Sequence, residues 1–184
     1  KLKIIIKQKK KNYIKTNIFN KSFSTKNEKC LKLISSRDTL IILSKPGSVY
    51  FCEKNPKKLK KFLNSITINL LSNININTKI IFISSDYIFC GKKKVYSDNS
   101  KARPINQYGF HKVYIENFIR KKFRNYLILR LPKIFSNNLK ISSILSDSYS
   151  NLKKEQNLFY DHKCHFLNII NFLNLFKKFL KKNI

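Results

Sequence analysis

An α/β fold with a parallel sheet and flanking helices is predicted by three observations. Short continuous apolar runs recur at Asp38–Leu43 (DTLIIL), Lys79–Ser84 (KIIFIS) and Tyr126–Leu131 (YLILRL). Strands of a parallel sheet are covered on both faces, so they read as unbroken apolar runs rather than as alternation. Stretches with helical periodicity separate the runs, and strand–helix–strand order is the signature of a parallel sheet. The chain of 184 residues is 42% hydrophobic and 13% aromatic, enough for a packed core and too apolar for a disordered chain.

Each element has its own warrant. Leu2 to Ile6 reads as a strand, followed by a charge run from Lys7 to Lys11 that reads as a solvated face. Lys45-Pro46-Gly47-Ser48 carries turn chemistry and closes the DTLIIL strand. Pro56 is suited to a first helical turn, and Leu59, Phe62, Leu63, Ile66 and Leu70 follow at helical spacing. The KIIFIS strand ends in Ser84-Ser85-Asp86-Tyr87, and a polar, lysine-rich loop covers 90–105. Asn106 to Arg124 is helical by the spacing of Tyr108, Lys112, Ile115, Ile119 and Phe123. Pro132 stops the YLILRL strand, and two further helices are expected at about 139–154 and 166–182. One domain over 1–184 is expected: a divergent part at 1–37, a core at 38–136, and a reduced helical region at 137–184. In such sheets ligands bind beyond the C-terminal strand ends, here Ser44 to Ser48, Ser84 to Tyr87 and Pro132 to Ser136.

The net charge is +30, from 39 Lys and Arg against 9 Asp and Glu. Charge alone points to a polyanion. Yet 34 of the cations are Lys, and Ile (26) and Asn (22) are equally inflated while Ala appears once. Residues with AT-rich codons are common and those with GC-rich codons are scarce, so codon bias accounts for the charge better than nucleic-acid binding. Phosphate and groove recognition recruit Arg for its bidentate fork, and no nucleic-acid motif is present. The cysteines at 30, 52, 90 and 164 lack zinc-knuckle or redox spacing, so no metal site is expected. They read as reduced thiols of a cytoplasmic protein, and no apolar run is long enough to span a bilayer. The sequence contains no Met and begins at Lys1, so its N-terminus is expected to be processed or missing.

The chemistry-bearing pair is Tyr108 and Lys112, four apart and therefore one turn apart on one helix face. A nearby ammonium lowers a phenol's pKa toward working pH, so such a tyrosine can protonate a carbonyl oxygen as hydride reaches the carbon. Ser85 can hydrogen-bond the same oxygen. By itself the spacing is common and equally describes a packed Tyr beside a solvated Lys. His111 and His162 read as solvated, Arg130 as a strand-end charge, and Asp86 and Glu53 as turn or cap residues.

SSDYIFCGKK, PINQYGFHKVYIENFI and YLILRLPKIFS occur in order. Together they resemble the extended short-chain dehydrogenase/reductase family, in the branch of the dTDP-4-dehydrorhamnose reductases and the related regulatory β subunit of methionine adenosyltransferase. Ser84, Ser85, Asp86, Tyr87, Phe89, Gly91, Pro104, Asn106, Tyr108, Gly109, Lys112, Glu116, Leu129 and Arg130 carry the resemblance, and Cys52-Glu53-Lys54-Asn55-Pro56 extends it upstream. Asp161-His162-Lys163 is a weaker echo of the family's tail. The resemblance implies a Rossmann-like sheet, N-terminally incomplete or degenerate, and NADP or NAD as cofactor. It also implies a nucleotide-sugar substrate in cell-surface polysaccharide synthesis, and it leaves a homodimer open. Tyr108 would be the general acid, Ser85 would orient the carbonyl, and Lys112 would tune the phenol and hold the nicotinamide ribose. Ser44, Leu131 and Pro132 would line the cofactor, and Asp86, Tyr87 and Asn64 the substrate side.

The family's glycine-rich pyrophosphate turn has no counterpart among the three glycines, Gly47, Gly91 and Gly109. The chain is therefore expected to be the C-terminal part of a longer reductase, a repurposed homologue with impaired cofactor binding, or a protein using lysines in place of the turn. Two functions follow: reduction of a nucleotide-linked 4-keto sugar, or a non-catalytic regulatory subunit on the same fold. A basic nucleic-acid-binding protein ranks third.

Overall fold

The computed structural model describes residues 2–4, 34–43, 45–138 and 165–181. They fall into two compact units, Lys1–Arg130 and Leu131–Ile184. The expected helix at 139–154 lies outside the described residues, as do Ser44 and His162.

The first unit is built on a sheet of β1 (Leu2–Ile4), β2 (Thr39–Ile42), β3 (Lys79–Ser85) and β4 (Tyr126–Leu131), in that spatial order. The β1–β2 and β2–β3 pairs are parallel, with Thr39 opposite Lys79 and Ile42 opposite Phe82. Leu40, Ile41, Ile80, Ile81 and Phe82 are each no more than 1% exposed. Neighbouring side chains on a strand point to opposite faces, so both faces of β2 and β3 are covered, as their continuous apolar runs require.

Four helical segments link β2 to β3. α1 (Val49–Lys54) is a short helix that the sequence reading missed, capped by the Ser48 hydroxyl accepting from the Phe51 N–H at 3.1 Å. α2 (Pro56–Asn64) starts with proline in its first turn, as expected. The continuous helix expected through Leu70 is corrected. At Ser65–Leu70 the chain widens into a π-helical segment and then tightens into a 3₁₀ turn at Leu71–Asn73. The cause is local: the Ser65 and Thr67 hydroxyls donate to the Lys61 and Leu63 carbonyls at 3.0 and 2.8 Å, and β-branched residues crowd the ladder. The widened turn lets Ile66, Leu70 and Leu71 all be fully buried.

α3 (Gln107–Lys122) joins β3 to β4 and is capped by Asn106, whose side chain accepts from the Gly109 N–H at 2.8 Å. Its buried stripe is His111, Lys112, Ile115, Glu116 and Ile119. Ile115 and Ile119 join Leu40, Ile42, Phe62, Ile66, Ile80, Phe82 and Phe123 in one core cluster. Truncating a side chain as enclosed as Phe82 to Ala costs ~3–5 kcal/mol. Three polar side chains inside the stripe mark where the helix is used for something besides packing.

In the second unit β5 (Lys133–Phe135) pairs in parallel with β6 (Phe166–Asn168), and α4 (Ile169–Lys181) follows at once. The helix expected from 166 therefore starts three residues late. Asn168 sets the boundary, its side-chain oxygen accepting from the Ile170 N–H at 2.9 Å while its amide donates to Asn137 at 3.2 Å. No described helix is long and apolar enough to cross a membrane.

Candidate functional site

The site forms where β3 ends and α3 begins. Ser85, the last residue of β3, is in extended conformation and its hydroxyl caps the 3₁₀ turn Asp86–Ile88, accepting from the Tyr87 N–H at 3.3 Å. The same hydroxyl donates to Asp86 Oδ1 at 3.1 Å. Asp86 is thus the turn residue that the sequence suggested. The first turn of α3 packs directly on this turn. A Cβ on Gly109 would collide with the Tyr87 carbonyl and come within 2.8 Å of Pro104 Cβ. The glycine is what lets the tyrosine beside it approach the end of the strand. Tyr87 and Tyr108 meet edge to face, with centroids 5.9 Å apart at 82°. Glu53 at the end of α1 accepts from the Gln107 N–H at 2.6 Å, a carboxylate on a helix N-terminus, which is the cap role expected of it.

Ser85, Tyr108 and Lys112 come together. The Ser85 side chain sits close enough to the Tyr108 phenol to pull its pKa down. Burial is the larger effect, and with Cys52, Asp86 and Tyr87 nearby it pushes the Tyr108 pKa up from 10.0 to about 12. The expectation of a phenol acidified by its neighbouring ammonium is therefore corrected. The Lys112 ammonium lies 5.6 Å from the Tyr108 ring centroid and 4.8 Å from that of Phe82, and it donates to the Ile83 carbonyl at 2.9 Å. It is 2% exposed. Burial lowers its pKa from 10.5 to about 8, the charge of Lys45 adds to that, and Glu116 and Cys52 oppose it.

One turn further on, Glu116 is 2% exposed and anchors a network. Its carboxylate accepts from the Ser84 hydroxyl at 2.5 Å and from Arg130 Nη2 at 2.9 Å. Arg130 also donates to the Asp98 carbonyl at 3.0 Å and lies 5.4 Å from the Phe89 ring centroid, tying the 89–103 loop to β4. Arg130 is the half-buried counter-charge to the buried Glu116, not the simple strand-end charge the sequence suggested. His111 is also corrected. It is 3% exposed, not solvated, and its ring is 5.1 Å from that of Phe62.

Of the remaining expected residues, Asn64 is exposed at the end of α2. Leu131 and Pro132 belong to the second unit, where both are half-buried. Cys52, quoted in the sequence only as part of a motif, is completely buried and close enough to influence both Tyr108 and Lys112. Burial and the Glu53 charge raise its own pKa, which makes it an inert thiol. No cluster of three metal-ligating side chains occurs among the described residues.

Two hydroxyls, from Ser85 and Tyr108, thus converge beyond a strand end, with a buried ammonium behind the phenol. That arrangement suits holding and protonating a carbonyl oxygen. For a dinucleotide the described residues fit at one end only. Lys112 has donors for a ribose, but the first loop after β2 is Lys45-Pro46-Gly47, and the space a Cβ on Gly47 would take is closed by the Phe51 ring at 2.6 Å. That glycine accommodates protein, not pyrophosphate.

A family model described as the RmlD substrate binding domain matches residues 25–159. Methionine adenosyltransferase 2 subunit beta of Xenopus laevis is 27% identical over 149 residues, covering 72% of this chain and 44% of that protein. The same subunit of Danio rerio is 36% identical over 56 residues, 30% of this chain and 17% of that protein. Among solved structures, dTDP-4-dehydrorhamnose reductase of Yersinia enterocolitica superposes with a TM-score of 0.67 at 16% identity, covering 93% of this chain and 62% of that one. The Bacillus anthracis enzyme, in complex with NADP, gives 0.56 at 18% identity, over 79% of this chain and 52% of that one. The chain spans less than half the length of the Xenopus laevis relative.

Proposed function

The chain belongs to the RmlD substrate-binding domain family, and from that premise we propose that it carries the proton-donating half of an NAD(P)-dependent reductase acting on a nucleotide-linked 4-keto sugar. The reading rests on the convergence of Ser85, Tyr108 and Lys112 at the end of β3. Its setting is the cytoplasmic synthesis of sugar precursors for cell-surface polysaccharide.

NADPH or NADH, if held with its nicotinamide ribose on Lys112, would supply the hydride for the carbonyl carbon. The Ser85 and Tyr108 hydroxyls grip the carbonyl oxygen, and Tyr108 transfers its phenolic proton to that oxygen as the alkoxide develops. With its pKa pushed up to about 12, Tyr108 is fully protonated at neutral pH, so the site rests as a loaded acid. An alkoxide is the stronger base and takes the proton. The Lys112 ammonium stabilises the phenolate left behind, and it would also hold the nicotinamide ribose. Retaining the proton so firmly favours reduction over the reverse oxidation, which needs the phenolate as base.

The test is NADPH oxidation by the full-length protein with a dTDP-linked 4-keto sugar. Tyr108→Phe is expected to lower kcat at least ~100-fold with the fold intact. Undiminished turnover in that variant overturns the mechanism. A second reading, a non-catalytic subunit like the methionine adenosyltransferase β chain, draws on the match to that subunit over 72% of this chain. It requires wild type itself to show no turnover.

A further inference from the structure

We propose that Ser84 is a positioning residue: through its bond to Glu116 it locks the end of β3 to α3, and so holds the Ser85 hydroxyl beside the Tyr108 phenol. The inference rests on the reductase reading of that pair and adds a residue to it.

Three successive residues at the end of β3 are each tied down. The Ile83 carbonyl accepts from Lys112 Nζ at 2.9 Å, the Ser84 hydroxyl donates to Glu116 Oε1 at 2.5 Å, and the Ser85 hydroxyl accepts from the Tyr87 N–H at 3.3 Å. Lys112 and Glu116 follow Tyr108 on α3 at four-residue steps, so the phenol and both ties share one helix face. The strand and the helix are thus fastened to each other at the two residues that precede Ser85. Ser84 is 4% exposed, so its hydroxyl has little water to turn to instead.

Glu116 has more partners than its charge requires. Arg130 Nη2 lies 2.9 Å and Arg120 Nη2 3.7 Å from Glu116 Oε2, and Arg130 Nε lies 3.3 Å from each carboxylate oxygen. Two guanidiniums already offset the buried carboxylate. Ser84 brings no charge, and its bond adds a direction, from strand to helix. Stability does not account for the assembly, because a buried ion pair can be exchanged for well-packed apolar residues at little cost. The clamp also reaches the other root of the site. Arg130 holds the Asp98 carbonyl, and the loop it grips closes where the Arg103 N–H donates to the Ile88 carbonyl at 2.8 Å. That loop leaves from the turn capped by Ser85 and returns into the cap of the helix that carries Tyr108.

The experiment measures NADPH oxidation by the full-length protein with a dTDP-linked 4-keto sugar, with Ser84→Ala introduced into wild type and into Ser85→Ala. Removing the hydroxyl leaves Glu116 paired with Arg130, so the fold is expected to survive, with circular dichroism as the check. In wild type, kcat is expected to fall ~10-fold with KM within ~2-fold. In the Ser85→Ala background the same substitution is expected to change kcat less than ~2-fold, because the group it positions is gone. Ser84→Cys, which keeps the size of the side chain and weakens its donor, provides the same comparison should the alanine variant fail to fold. A loss of equal factor in both backgrounds marks a merely structural role and overturns the proposal, as does a Ser84 variant as fast as wild type. Either result leaves the reductase reading standing, whereas wild type without turnover overturns that reading and this inference together.

Discussion

Replacing His111 with leucine is expected to stabilise the protein, and increasingly so in acid. The imidazole is 3% exposed and neither ring nitrogen has a hydrogen-bond partner among the described residues. An unsatisfied buried polar group costs ~1–3 kcal/mol. Burial, and secondarily the Lys112 charge, pushes the His111 pKa from 6.5 down to about 3. The native state therefore refuses a proton that the unfolded chain accepts, and stability is lost as pH falls from the unfolded value toward the folded one. At about pH 5 the gap is roughly 1.5 pKa units, or ~2 kcal/mol at ~1.4 kcal/mol per unit. Urea unfolding followed by circular dichroism, at about pH 8 and about pH 5, measures both parts. His111→Leu should gain ~1 kcal/mol at the higher pH and ~3 kcal/mol at the lower. Parallel pH dependences for the two proteins would refute the reasoning, since they would mean that His111 protonates equally well in both states.

Three further outcomes are expected. Gly109→Ala should lower Tm by several degrees and turnover with it, because the added carbon must displace the Tyr87 backbone or Pro104; unchanged melting and turnover would contradict the packing described. Glu116→Ala should cost ~3–5 kcal/mol in chemical denaturation by stranding Arg130 and Ser84, whereas Glu116→Gln combined with Arg130→Met should cost much less. In the reductive direction kcat should fall as pH rises past about 8, where Lys112 loses its charge, and Lys45→Ala should move that limb upward by removing a like charge. A limb unmoved by Lys45→Ala would assign the titration to another group.

The parts of the fold legible in the sequence are those where physics leaves a one-dimensional trace. Burial of β2 and β3 on two faces leaves runs such as LIIL and KIIFIS. The Asn106 cap and the Tyr108–Lys112 spacing survive intact in α3. The π-helical segment leaves no trace, since Leu59, Phe62, Ile66 and Leu70 suit an α-helix equally well until the hydroxyls of Ser65 and Thr67 choose their acceptors. The burial of His111 follows from which face of α3 meets Phe62, a choice made by the tertiary packing. Arg130 and Glu116 are 14 residues apart on different elements, so their pairing appears only when β4 and α3 are placed. The direction of the Tyr108 shift escapes the sequence for a similar reason. Spacing places an ammonium one turn away, but it does not reveal that burial outweighs it or that Lys112 points to the Ile83 carbonyl.

That Ser85 and Tyr108 serve one substrate oxygen is tested most directly by a double-mutant cycle on kcat with Ser85→Ala, Tyr108→Phe and the pair. If both hydroxyls act on that atom, the double variant should be scarcely slower than Tyr108→Phe alone. Losses that multiply independently, or a Ser85→Ala enzyme as fast as wild type, would contradict it.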